Sequence, residues 1–104
     1  MSRTLLLAWS SPSPGAGEAF HQWYEEIHIP QVRDLLDVQG EVRRFQEDDA
    51  GEGRYLAIYD LGEGRDAATE AARLDEAARS GKLDMTPAMD VADNPPQVQW
   101  LRGL

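Results

Sequence analysis

The order of periodic segments along the chain predicts an α+β fold with the element order βαββαβ and one four-stranded antiparallel sheet. Residues 4–9 and 54–61 are apolar at nearly every position, which is typical of strands that are covered on both faces. Residues 18–36 and 66–80 instead carry apolar side chains at helical spacing. In the ferredoxin-like arrangement that this order describes, the first and third strands lie at the centre of the sheet, where burial on both faces is expected.

The first helical region contains a proline at a position that predicts a break. A turn segment rich in proline and glycine, residues 10–17, separates this region from the first strand. Five apolar side chains then fall on one arc of a helix: Phe20, Trp23, Tyr24, Ile27 and Leu35. Pro30 has no amide hydrogen and disfavours helical backbone at Ile29. We therefore predict two helices, residues 18–28 and 30–36, with a break between them.

Two strands joined by a short connection are predicted next. Gly40 ends the helical region, and residues 41–47 have a strand pattern that includes two arginines. Residues 48–53 are acidic and contain glycine, which indicates a hairpin turn into the strand at residues 54–61.

A second helix and a last strand complete the predicted fold. Asp66 is a suitable N-cap for a helix that ends at Ser80, before Gly81. Four small or apolar side chains form its predicted inward stripe: Ala67, Ala71, Leu74 and Ala78. Residues 82–96 are expected to be irregular, and residues 97–101 to form the fourth strand.

Composition limits the kinds of function that this chain can have. It has 104 residues, a mass of 11.6 kDa and a formal net charge of −9, so we expect a single domain over residues 1–104. An acidic chain is a poor partner for nucleic acid or anionic membrane, because phosphate binding needs clustered Lys and Arg. The absence of cysteine excludes disulfides, thiolate metal sites and cysteine nucleophiles. The first apolar run is too short to cross a membrane and no cleavage site follows it, so we expect a cytoplasmic protein.

The predicted sheet has one face that its own helices cannot cover. Two helices cover one face only, yet both central strands carry apolar side chains on both faces. A chain of this length is too small to cover the second face itself. We therefore expect a homodimer in which two sheets pack face to face.

Residues 20–30 hold both histidines of the chain and are the leading candidates for chemistry. On a continuous helix His21 and His28 point within ~20° of each other, with Tyr24 between them. A histidine at the border of an apolar arc can donate or accept a proton near neutral pH, and a tyrosine can donate a hydrogen bond to a substrate oxygen. The alternative is an ordinary core helix whose histidines are structural.

The second and third strands add candidates for a pocket wall. Arg43 and Arg44 adjoin Phe45, and one of the two arginines must point towards the cavity side, where it can hold an anionic or carbonyl group. The alternative is an edge strand protected by its charge. Tyr55 and Tyr59 share one face of the third strand and either wall a pocket or pack in the core or a dimer interface.

No metal or cofactor site is expected. His21 and His28 differ by ~10 Å in height along a helix, which is too far for shared chelation. A single Glu-x-x-His spacing occurs at residues 25–28, whereas di-iron bundles need two copies on facing helices. The sequence has no glycine-rich phosphate loop after a strand and no Gly-x-Ser-x-Gly elbow.

Several of these residues occur together in a known group of proteins. Residues 20–30 read Phe-x-x-Trp-Tyr-x-x-x-His-x-Pro and are followed by Gly40, Arg44-Phe45 and, at residues 54–59, Arg-Tyr-Leu-Ala-Ile-Tyr. Together they resemble the EthD-like group of the dimeric α+β barrel superfamily over most of the chain. Relatives on this barrel include cofactor-independent monooxygenases, polyketide cyclases, lactone isomerases, haem-degrading enzymes and stress-responsive proteins, so the resemblance alone does not fix a function.

The resemblance implies a cavity between the sheet and the helices, with His28 facing it. It makes His28 the acid or base and Tyr24 its hydrogen-bonding partner, whereas His21 has no counterpart in the motif. The expected substrate-binding residues are Trp23, His21, Arg43, Phe45 and Tyr59.

We therefore expect a small cofactor-independent enzyme that acts on an apolar, oxygenated small molecule, aromatic or polyketide-like. His28 would remove or deliver a proton at a carbon next to a carbonyl, while Tyr24 stabilises the developing oxyanion. Such a step serves in cyclisation, in isomerisation, in lyase reactions and in deprotonation before oxygen attack, and the sequence does not choose among them. Two alternatives stay open: a non-catalytic binding or accessory protein that uses the same cavity, and a haem protein with His28 as axial ligand.

Overall fold

A single antiparallel sheet organises the computed structural model, which describes residues 2–48 and 53–104. Its strands are β1 (Arg3–Ser10), β2 (Val42–Gln46), β3 (Tyr55–Glu63) and β4 (Gln97–Arg102). They are arranged in the order β2-β3-β1-β4, so β1 and β3 are central. The predicted α+β fold with four antiparallel strands is confirmed, and it is compatible with a ferredoxin-like fold. Most of the hairpin turn predicted at residues 48–53 lies outside the described residues.

The first helical region is continuous, and the break predicted at Ile29 is wrong. Helix α1 (Gly17–Trp23) leads through a π-helical turn (Tyr24–His28) into helix α2 (Ile29–Leu36). Ile29 has helical backbone angles, φ −59° and ψ −48°, and its amide donates to the carbonyl of Tyr24, five residues earlier. In a regular α-helix the ring of Pro30 would clash with the carbonyl four residues before it, and a π-helical turn widens the helix at that point.

The π-helical turn also changes which side chains of the helix face the sheet. Ile27, expected on the apolar arc, is 40% exposed, whereas Val32 and Leu36 are buried beside Phe20. The turn adds one residue to the helix, and each residue rotates the following side chains by about 100°. The buried side chains of α2 therefore lie on the same side of the helix as those of α1, because the π-helical turn takes up the extra residue.

Helix α3 (Ala67–Arg79) begins where the sequence predicts. The Asp66 carboxylate accepts a hydrogen bond from the backbone amide of Thr69 at 3.0 Å, which confirms the predicted N-cap. The predicted inward stripe is confirmed in part: Leu74 and Ala78 turn towards the space between α3 and the sheet, but Ala78 is exposed there and the buried residues of the helix are Glu70 and Ala77. Glu70 is buried because its carboxylate pairs with Arg65. No helix in the described part of the chain is long and apolar enough to cross a membrane.

Side chains alternate along the strands, so the sheet has one face that packs against the helices, called the helical face, and one face that does not. On the helical face, buried strand residues pack with the helices: Leu6, Ala57, Tyr59 and Leu61. The other face, which we call the open face, carries seven apolar side chains that are half-buried or exposed: Leu5, Leu7, Trp9, Phe45, Leu56, Ile58 and Leu101. The strand pairing places these seven in neighbouring register positions, so they form one continuous apolar surface.

Candidate active site

A cavity of about 220 Å³ lies between the helical face of the sheet and the helices. Most of its wall is apolar, with contributions from the sheet, α2, α3 and the segment after α3: Leu6, Val32, Leu74, Leu83, Met89 and Val98. Its polar lining consists of Ser10, Tyr24, His28 and Tyr59. Within residues 2–48 and 53–104, no Asp, Glu, Lys or Arg lines this cavity. The sequence-predicted residues His28, Tyr24 and Tyr59 are thus brought together.

His28 is held between two aromatic side chains. Its ring stacks on the Trp23 indole, with centroids 4.5 Å apart and planes 21° apart, and meets the Tyr24 ring edge-on at 4.9 Å. The Trp23 Nε1–H donates to the backbone carbonyl of Asp84 at 3.2 Å, which fixes the indole behind the imidazole. Trp23 therefore positions His28 rather than lining the cavity itself.

Burial determines the protonation state of His28. Burial, with a smaller effect from the charge of Arg44, lowers the pKa of His28 from 6.5 to about 4. Its Nδ1 is buried and has no hydrogen-bond partner among the described residues. The imidazole is consequently neutral at neutral pH and able to accept a proton.

Three hydroxyl groups, those of Ser10, Tyr24 and Tyr59, line the same cavity as the imidazole. The Tyr24 hydroxyl is close enough to those of Ser10 and Tyr59 for both to affect its pKa. The hydroxyls of Ser10 and Tyr59 nevertheless form no hydrogen bond with any described residue. Burial raises the pKa of Tyr24, and burial together with the neighbouring Tyr24 raises that of Tyr59. Both phenols stay protonated at neutral pH and serve as hydrogen-bond donors.

Ser10 is the polar cavity residue that the sequence prediction missed. It lies at the end of β1, on the same side of the strand as Leu6. The prediction placed residue 10 in the following turn, so the alternation of β1 was not extended to it. The signal available in the sequence was parity: counting from the buried Leu6 in steps of two reaches Ser10.

Arg44, and not Arg43, faces the helices. Its Nη1 pairs with Glu25 at 3.0 Å, its Nη2 lies 3.1 Å from Nδ1 of His21, and its guanidinium carbon is 4.4 Å from the centre of the Tyr24 ring. Arg44 thus reaches the cavity only through the ring of Tyr24. Its cation over that ring and near the imidazole favours the neutral form of His28.

The other predicted substrate-binding residues lie away from the cavity. Arg43 and Phe45 point to the open face, where the guanidinium carbon of Arg43 lies 5.8 Å from the Phe45 ring centre. Successive side chains of a strand point to opposite faces, so Arg43 and Phe45, which flank Arg44, both lie on the face opposite to it. His21 is half-buried beside Arg44 and meets the Tyr55 ring edge-on at 4.5 Å, outside the cavity lining.

The arrangement combines a proton acceptor with hydrogen-bond donors in an apolar space. A neutral imidazole can take a proton, and protonated phenols beside it can stabilise negative charge on an oxygen. In the described ranges, no three His, Asp or Glu side chains are grouped closely enough to hold a metal ion.

Comparison of the chain with known proteins finds no matching family model, no matching curated protein and no matching solved structure. The resemblance to the EthD-like group therefore stays a prediction from the motif residues.

Proposed function

We propose that this chain is a small enzyme that moves a proton at a carbon next to a carbonyl group, using His28 as the acid and base and Tyr24 as the hydrogen-bond donor to the carbonyl oxygen. The observation that supports this role is the convergence of the two rings, 4.9 Å apart, on the wall of one apolar cavity. An apolar wall that carries a few converging polar groups is typical of small-molecule sites. The resemblance of residues 20–30 to the EthD-like group, a prediction from the sequence, favours the same assignment.

The proposed step needs only groups that the chain supplies. The neutral imidazole of His28 takes a proton from the carbon, and the electron pair of the broken C–H bond moves onto the carbonyl oxygen as an enolate. The Tyr24 O–H donates a hydrogen bond to that oxygen. The imidazolium then returns the proton to the enolate at the same or another carbon. A base whose pKa is about 4 is weak in the free protein, but the enolate formed beside it stabilises the imidazolium in a medium of low polarity.

The cavity limits the size and the charge of the substrate. Its volume of about 220 Å³ lies below the roughly 300–1,000 Å³ typical of sites for drug-sized ligands. We therefore propose an apolar, oxygenated molecule of one or two rings. A charged substrate is disfavoured, since no Asp, Glu, Lys or Arg of the described ranges lines the cavity.

The test is hydrogen–deuterium exchange at the methyl group of acetophenone and at the ring CH₂ next to the carbonyl of 1-indanone, followed by ¹H NMR in D₂O. We expect the protein to accelerate exchange of at least one of the two ketones. His28→Ala should return exchange to the buffer rate, and Tyr24→Phe should slow it roughly 10²-fold, as for removal of one oxyanion donor. His21→Ala serves as the control, since His21 lies outside the cavity lining and its loss should leave exchange unchanged.

A folded His28→Ala variant that exchanges as fast as the natural chain would contradict the proposal. Exchange of both ketones at the buffer rate by the natural chain would contradict it as well.

A non-catalytic binding protein is the second candidate function. The low pKa of His28 favours it, because a base with a pKa near 4 is far from the value best suited to catalysis at neutral pH. This role predicts that both ketones bind without exchange and that His28→Ala binds them with unchanged affinity.

We further propose that the open face is covered by a second copy of the chain. Its seven apolar side chains form a continuous patch on a protein of only 104 residues, and large patches of this kind on soluble proteins mark interfaces. Two copies related by a two-fold axis would pack patch against patch and join the two sheets into a dimeric α+β barrel. Each copy needs to bury about 800 Å² for a stable complex, which a four-stranded sheet can supply.

Sedimentation equilibrium at micromolar concentration tests the dimer. The natural chain is expected at twice its chain mass of 11.6 kDa, and Ile58→Glu, which places a charge in the middle of the open face, at the mass of one chain. Ala72→Glu adds the same charge on the exposed side of α3 and should stay dimeric. A natural chain that sediments at 11.6 kDa would refute the dimer.

A further inference from the structure

Two buried hydroxyl groups in the cavity wall lack a protein partner. Tyr59 is 1% and Ser10 is 4% exposed, and both line the cavity. Neither the Tyr59 phenol oxygen nor the Ser10 Oγ has a hydrogen-bond partner in the described parts of the chain. A buried hydroxyl without a partner costs free energy, so an oxygen atom that enters the cavity and pairs with these groups is bound in preference to a hydrocarbon.

The surroundings of the two hydroxyls define the chemistry of that oxygen. Tyr24 interacts with both of them and lines the same cavity, so its own hydroxyl is a third potential donor. The nearest cation, Arg44, has a side chain that is only 17% exposed and is already engaged by Glu25 and His21. An anionic ligand would therefore lose its hydration without gaining a free counter-charge. An uncharged carbonyl oxygen can accept hydrogen bonds from these hydroxyls and needs no counter-charge.

We propose that Ser10, Tyr24 and Tyr59 form a binding site for the oxygen of an uncharged ketone or aldehyde, which sets the substrate class of the cavity. The site deepens the proposed function and rests on it, because the oxygen bound here is the one that would carry the enolate charge. Ser10 and Tyr59 belong to the sheet and His28 to the helical region across the cavity. A ketone with its oxygen at the sheet thereby turns the neighbouring carbon towards His28.

The matched probes are acetophenone and ethylbenzene, which have similar size and differ by the carbonyl oxygen. Their affinities for the full chain are measured by isothermal titration calorimetry. We expect acetophenone to bind more tightly, and Tyr59→Phe and Ser10→Ala each to weaken acetophenone roughly three- to tenfold while leaving ethylbenzene unchanged or tighter. Tyr55→Phe is the control, since Tyr55 lies on the same strand and face but packs against Phe20 and His21 outside the cavity lining.

The infrared stretch of the bound carbonyl gives a readout that a purely structural role of these residues would not change. Hydrogen bonds from the hydroxyls lower its frequency, so Tyr59→Phe should raise it and Tyr55→Phe should not. Equal affinity of the natural chain for both probes, or a carbonyl frequency that is the same in the Tyr59→Phe variant, would overturn the site.

The outcomes separate this inference from the proposed function. A preference for acetophenone that depends on Tyr59, together with no His28-dependent exchange, would leave the oxygen site standing and overturn the acid–base role. Exchange that depends on His28, with no preference for acetophenone over ethylbenzene, would overturn the oxygen site alone.

Discussion

The free energy of unfolding is expected to fall by about 3 kcal/mol when His28 becomes protonated in acid, because its pKa is about 4 in the folded chain against 6.5 when it is exposed. The folded pKa is the lower of the two, so the unfolded chain binds the proton first as the pH falls. Stability is therefore complete above pH 6.5, decreases between pH 6.5 and 4, and reaches its full loss below pH 4. Most of this loss should already be present at pH 4.5.

Urea unfolding at a series of pH values measures this dependence. Other groups also titrate in acid, so the relevant quantity is the difference between the natural chain and His28→Gln, which stays neutral at every pH. That difference should change by about 2 kcal/mol between pH 7 and pH 4.5, in favour of the variant. His21→Gln is the control: burial also lowers the pKa of His21, but this ring is half-buried beside Glu25, so its removal should change the pH dependence much less. If the free energies of unfolding of the natural chain and His28→Gln differ by the same amount at every pH, the pKa of His28 is the same in the folded and the unfolded chain.

Replacing Arg65 with Met is expected to destabilise the fold by about 3–5 kcal/mol, as for removal of one partner from a buried ion pair. The Arg65 side chain is 15% exposed and its Nε pairs at 3.0 Å with Glu70, which is 6% exposed. Its Nη1 donates to the carbonyls of Asp37 at 2.8 Å and Leu61 at 3.1 Å, and its Nη2 donates to that of Leu36. Arg65 thus closes the end of α2, where Leu36 and Asp37 have carbonyls that the helix itself cannot pair.

Chemical unfolding at pH 7 gives the stability of the variant. After Arg65→Met, Glu70 keeps one ion-pair partner among the described residues, Arg73 at 3.4 Å, and the carbonyls of Leu36, Asp37 and Leu61 lose this donor. Arg65→Lys retains the charge but lacks the planar guanidinium, so its free energy of unfolding should lie between those of the natural chain and Arg65→Met.

Arg79→Met is the control for the loss of an arginine, because its pair with Asp75 on α3 is about two-thirds exposed. Exposed pairs contribute little, so this variant should unfold almost like the natural chain. Equal stability of Arg65→Met and Arg79→Met would show that the buried pair does not support the fold.

The sequence allowed the element order to be predicted because local patterns determine it. Two strands that are apolar on both faces can only be central, and an N-cap such as Asp66 acts within one helical turn. The sites of His28 and Tyr24 could be predicted for the same reason, since both lie on one helical segment. The position of Tyr59 followed from the alternation of β3.

The remaining features depend on contacts between distant segments. Which of Arg43 and Arg44 faces the helices depends on strand register, and a shift of one residue exchanges the two faces. Ser10 becomes a cavity residue only because β1 extends to it beside the helices. The burial of Glu70 likewise depends on Arg65, which lies in a different element.

The π-helical turn at Tyr24–His28 makes the number of residues in this helix as important as their identity. A deletion of one residue between Tyr24 and His28 would let the segment form a regular α-helix, because the π-helical turn takes up one extra residue. Val32, which lines the cavity, and Leu36 would still face the sheet. The spacing between the tyrosine and the histidine would change, so a related chain with one residue fewer at this point would have a differently shaped cavity wall even if both residues were present.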